Sequence, residues 1–269
     1  MEAAIKSTLP ASGRALVDRI ESHCGCKIEC SLVPSLTATR GPIGLARPEV
    51  LDGKLKLVLL YGSKRPSPEL IAHEALHLWY RAVEGVGDTG WGVTPPGLPS
   101  EAVLGPNLNF FKLGYWAEHC FLYRDMAAMG LDSRDGASVV RDVLSHLGEF
   151  PAGAWRSIGA LGCWLHATYC FPGLQDSASA RLAEFGLLDQ ARRFEDLVRP
   201  SITGSGSMFE RQLSTVAQMA IAAGIRLDHV QILRLLRDSP PPGAPGWWIY
   251  SHPLSDYIDH EPQPAAVTS

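Results

Sequence analysis

Apolar and polar positions follow two different periods along this chain, and the change of period marks its organisation. Leu9, Leu16, Val17 and Ile20 recur at helical spacing before Gly25, which predicts a helix over about 8–23. "CKIECSLV" then reads as a β-rich run. "TATRGPIG" breaks it, and "IGLARPEVLDGKLKLVLLYG" predicts two strands around an Asp52-Gly53 turn, the second of them, Leu55 to Tyr61, being the most apolar. In "SKRPSPEL", Ser67 is a candidate N-cap, with Pro68 at the first helical position and Glu69 in the first turn, so a helix should run to about Val83. "EGVGDTGWGVTPPGLPS" is too rich in Gly and Pro for anything but a loop, a candidate rim or lid. From residue 107 the period is helical almost throughout, over about 109–129, 134–147, 153–171, 177–197, 206–223 and 228–237. A short extended "WWIY" and a frayed end over 261–269 complete the chain.

Composition narrows the class. A chain of 269 residues that is 46% hydrophobic and 19% charged can bury a full core. The expected fold is α+β and mostly helical: a small α/β lobe with a short sheet over 1–106, then an all-helical lobe over 107–260. A formal charge of −4, with no basic run interleaved with aromatics, argues against a nucleic-acid partner. No apolar run reaches the roughly 18 residues that suggest a membrane span. Glu2 stands where an export signal would be basic, so the expected location is cytoplasmic. In that compartment six cysteines imply free thiols. "HCGCKIEC" lacks the CxxC spacing of a zinc knot, which leaves Cys24, Cys26 and Cys30 as partly buried thiols.

The chemistry concentrates in "ELIAHEALHLWY", residues 69–80. His73 and His77 are four residues apart, so on a helix they lie one turn apart on one face and can offer imidazole nitrogens to a single ion. Zn²⁺ is the ion that such a pair favours. Glu74 falls on the flank of that face, where it can take a proton from a water activated by the metal and pass it to a leaving amine. The surroundings are apolar, no proline interrupts the motif, and an apolar strand precedes it.

This HExxH helix resembles those of zinc peptidases of the zincin class. The succession of helix, short strands, HExxH helix, loop and later helix is similar to the minimal gluzincins and the ImmA/IrrE-like peptidases of bacteria over about residues 8–130, tightly at 70–79 and loosely elsewhere. The resemblance implies a zincin-like first lobe and selective intracellular proteolysis of a peptide or protein substrate. It also implies a third ligand. The metzincin continuation is excluded, because Gly85 comes too late and no histidine follows at the required place. Gluzincins take a Glu from a later helix, and "GYWAEHCFLYRDMAAMG" offers Glu118, 41 positions after His77. Glu118 is therefore the expected ligand with His73 and His77. His119 would then be a supporting or oxyanion-directed group, with His119 itself or Asp88 as the alternative ligand. Where the thermolysin-like pattern has an Asp to orient a histidine, this chain has Leu122, which leaves Asp125 as the substitute.

Oxyanion donors are sought among His166 and Tyr169 of "CWLHATYCF" and, nearer Glu118, Tyr115, Tyr123 and Arg124. Three functions stay open at this point: a zinc endopeptidase whose Leu55–Tyr61 strand offers an edge to substrate, a zincin-fold binding module with little catalysis, and a zinc hydrolase of small amides or esters.

Overall fold

The structure, a computed structural model, describes residues 1, 3–38, 41–42, 44–93, 113–237 and 246–258. The expected lid beyond residue 93, the helix start at 109 and the 261–269 tail lie outside these. The architecture is α+β and mostly helical.

A short α1 (Ala3–Lys6) leads into α2 (Ala11–Cys24), which ends where Gly25 turns left-handed. Three strands follow that build the first sheet: β1 (Ile28–Leu32), β4 (Gly44–Leu51) and β5 (Lys54–Tyr61), in the order β1-β5-β4, with a two-residue ladder of β2 (Thr37–Ala38) and β3 (Gly41–Pro42) beside it. β4 and β5 form the expected hairpin, with Asp52 and Gly53 both at positive φ as their tight turn demands. β1 runs parallel to β5 on its other side. The apolar β5 is thus the central strand, buried at Leu57 and Leu59, and cannot offer the edge assigned to it. Among the described residues the outer strands of this sheet are β1 and β4.

α3 (Pro68–Ala82) packs across β4. Its start is as the sequence implies: the Ser67 hydroxyl accepts from the Leu70 amide at 3.2 Å, and Pro68 occupies the first turn, where no amide partner is needed. After it comes β6 (Asp88–Trp91), a strand where a plain loop was expected. α4 (Leu113–Ala128), α5 (Arg134–His146), α6 (Ala154–Tyr169), α7 (Gln175–Glu184), α8 (Leu188–Thr203) and α9 (Met208–Ala222) form the helical body. The expected helix over 177–197 is two helices, parted at Gly186 with its positive φ.

The main correction lies at 228–237. That segment is not a helix but strand β7 (Val230–Arg237), paired on one side with β6 and on the other with β8 (Trp247–Pro253), which contains the extended "WWIY". Val230 and Ile232 point into the core at the two-residue period of a strand. The second segment is therefore not all-helical. The pairing of β6 with β7 carries one sheet across the expected boundary at 106, and residues from both sides contribute to one continuous apolar core. Gln212 of α9 reinforces the junction by bonding both the amide and the carbonyl of Gly87.

Candidate metal centre

His73 and His77 project from the middle of α3 with their Nε2 atoms 3.1 Å apart. Both face α4. The start of α4 is fixed from β6, where the Thr89 hydroxyl accepts the Gly114 amide at 2.8 Å. Farther along, the Tyr80 hydroxyl donates to Asp125 at 2.6 Å and braces α3 against α4. Between these two ties lies His119, whose ring centroid is 4.9 Å from that of His77 and 5.2 Å from that of His73.

The three histidines bring one ligand atom each to within 4.8 Å of one another, the single such His/Cys/Asp/Glu group among the described residues. Two of them have their far nitrogen committed. His77 Nδ1 donates to Glu118 Oε1 at 2.7 Å, and His119 Nδ1 donates to the Tyr115 carbonyl one turn back at 2.9 Å. A donor at Nδ1 leaves a lone pair at Nε2, the form in which imidazole binds a metal. Burial also disfavours the charged form: it is the first cause holding the His73 pKa down to about 3 and that of His119 well below the ordinary value, with neighbouring imidazoles adding to it. At neutral pH His73 and His119 are therefore neutral nitrogen donors.

Glu118 and His119 therefore occupy the reverse of their expected positions. Neighbouring residues on a helix point about 100° apart, so only one of the pair can face the two imidazoles of α3. The other meets Arg81, whose Nη2 lies 3.5 Å from Glu118 Oε2. Burial alone would raise the Glu118 pKa, but Arg81 and His77 together take it down to about 2. It is a fixed anion behind His77. This supplies the histidine-orienting carboxylate that the sequence lacks at Leu122, and Asp125 is instead the partner of Tyr80. Asp88 lies in β6, where its Oδ1 accepts the Thr89 amide.

Glu74 is buried on the flank of α3 toward β4, where the Ala46 amide donates to its carboxylate. Burial raises its pKa against the opposing pull of His77, that amide and Arg81. Gly44 is the strand residue beneath it. A Cβ there would stand 2.5 Å from Glu74 Cγ and 2.6 Å from Oε1, so the carboxylate lies in space that only glycine leaves.

Of the remaining candidates, Tyr115 lies tilted against His119 with ring centroids 4.0 Å apart, and Tyr123 lies 5.5 Å from His119 and 6.0 Å from His73. His166 does not reach the cluster. It sits on α6 behind α4, fully buried, with Nε2 donating to the Trp116 carbonyl at 2.9 Å. Tyr169 lies beside Glu195 and Arg199 of α8, and Arg124 donates to the Ile202 carbonyl. None of these three is placed to serve as an oxyanion donor here. Sequence reasoning passed over Arg81 and Gly44. Arg81 carries a signal, since it repeats the four-residue step from His77. Gly44 carries none, because its role depends on a helix packed across it.

No protein-family model, curated protein or solved structure matches the chain.

Proposed function

We propose that this protein is a zinc-dependent metallopeptidase in which His73, His77 and His119 hold the metal and Glu74 is the general base. The observation that carries the reading is the convergence of three imidazoles from two helices, with a ligand nitrogen of each within 4.8 Å of the others, beside a buried carboxylate. Three nitrogen ligands suit Zn²⁺ and leave one position open, as catalytic rather than structural zinc sites do. A bound zinc ion supplies Lewis acidity, which makes an adjacent water acidic near neutral pH and polarises a scissile carbonyl.

The protein's own groups do the rest. Glu118 and the Tyr115 carbonyl hold the rings of His77 and His119 through their Nδ1 atoms, which leaves each Nε2 turned to the cluster and limits the reorganisation needed on binding. Glu74, held by the Ala46 amide, accepts the proton of the attacking water and returns it to the departing amine. Its burial makes it a stronger base than an exposed carboxylate. β4, an outer strand of its sheet, gives an extended peptide main-chain groups to pair with on either side of Ala46, whose own amide and carbonyl face Glu74 and Arg81.

The test is metal content and peptide cleavage on one preparation. The expected result is one zinc per chain, cleavage of fluorogenic peptides that a chelator abolishes, and a Glu74→Gln protein that keeps its zinc but loses activity by about 10²–10⁴-fold, the scale of general-base catalysis. A zinc-loaded protein that cleaves no peptide would overturn the peptidase reading and favour a binding module, whereas a Glu74→Gln protein of undiminished activity would overturn Glu74 as the general base.

A further inference from the structure

We propose that Arg81 is a positioning residue of the metal centre: it aligns Glu118, and through Glu118 sets the ring orientation and tautomer of His77. The inference rests on the metal-binding reading above and extends it to a residue that touches neither metal nor substrate. Its basis is the division of one carboxylate between two partners. Glu118 Oε1 accepts from His77 Nδ1 at 2.7 Å, while Oε2 faces Arg81 Nη2 at 3.5 Å. The Glu118 side chain is only 4% exposed. A carboxylate in that position is costly without a compensating cation, and its free rotation would release Nδ1.

The two α3 residues lie one helical turn apart, so the helix itself sets their separation and Glu118 reaches between them from α4. Arg81 touches the catalytic side as well: Nη1 approaches the Ala46 carbonyl at 3.5 Å, and the amide of Ala46 holds Glu74. Negative charge from Glu118, Asp88 and Glu74 surrounds the guanidinium. A merely structural ion pair would support the fold alone. This one lies in line with a ligand, so its loss should be read out at the metal.

The experiment compares wild type, Arg81→Met, Arg81→Lys, Glu118→Gln and the double variant Arg81→Met/Glu118→Gln. Zinc affinity is measured by competition with a chromophoric chelator. The His77 tautomer is read from histidine ¹⁵N shifts of the metal-free protein, and Co²⁺ absorption reports the ligand geometry. Loss of an outer partner weakens metal binding by about 10–100-fold, and that is expected for Arg81→Met, with a mixed His77 tautomer and an altered Co²⁺ spectrum. Arg81→Lys should recover part of the affinity. The double variant should bind no more weakly than Glu118→Gln, because both changes break one chain of contacts. Wild-type affinity, tautomer and Co²⁺ spectrum in Arg81→Met, or fully additive losses in the double variant, would overturn the proposal. If Arg81→Met does not fold, Arg81→Lys decides: wild-type behaviour of Glu118→Gln together with impaired Arg81→Lys excludes a route through Glu118. Should wild type itself bind no zinc, the metal reading falls, and the positioning role falls with it.

Discussion

A missing side chain makes room for the proposed general base. Gly44 leaves the space in which the Glu74 carboxylate rests. In Gly44→Ala the new methyl must displace the end of Glu74, which can move because it is a flexible side chain. We expect peptide cleavage to fall at least about tenfold, the effect of moving a general base out of reach, with zinc content unchanged. Unaltered cleavage would mean that Glu74 acts from elsewhere. His119 and Glu118 are separable in the same way. His119→Ala removes a nitrogen from the cluster and should abolish stoichiometric zinc, whereas Glu118→Gln keeps an acceptor for His77 and should weaken zinc without eliminating it. The reverse order, measured by metal analysis after dialysis, would return Glu118 to the role of ligand.

At the scale of elements, the site depends on how closely α4 approaches its neighbours. Trp116 of α4 packs on Gly162 of α6 so tightly that a Cβ there would lie 2.0 Å from Trp116 Cδ2. The obstacle is the body of a fully buried indole, which has nowhere to turn. Gly162→Ala should therefore destabilise by at least about 1–3 kcal/mol, lowering Tm by several degrees, and should shift α4 with its His119. A thermal melt equal to wild type would contradict this packing. The element that sequence misread teaches the complementary lesson. "VQILRLLR" carries enough Leu and Arg to pass for a helix, yet β6 and β8 pair with it on both sides, and strand preference is decided by such neighbours more than by the residues themselves. α3 was legible because its signals are local: a cap, a proline, a four-residue step.

Across the whole molecule, among the described residues, no helix is long and apolar enough to cross a membrane. The metal-free molecule should be acid-sensitive in a defined window. Burial is the first cause lowering three histidines, His73 to about 3, His166 to about 4 and His119 well below its ordinary value. Their unfolded counterparts take up protons near pH 6.5, while the folded groups resist until several units lower. Stability is thus fully present above about pH 6.5 and is lost as pH falls through the window, by about 1.4 kcal/mol per pH unit for each proton withheld. Glu118, depressed to about 2, withholds a further proton only once pH falls below its unfolded value of about 4.5. Urea unfolding of chelator-treated protein between pH 7.5 and 5 should show the midpoint falling steeply, and a flat profile would rule out neutral buried imidazoles. The sequence by itself determined the mostly helical α+β class, the β4–β5 turn, the limits of α3 and the facing of His73 and His77. Each depends on residues within a few positions of one another, where helical or strand period and turn chemistry suffice. Only the tertiary structure decided that β5 is the central strand and β4 an outer one, that β7 joins one sheet across both segments, and that His119 rather than Glu118 joins the two imidazoles. Those outcomes depend on which face of α4 meets α3 and on where the buried cation of Arg81 lies, and neither is written in any local pattern.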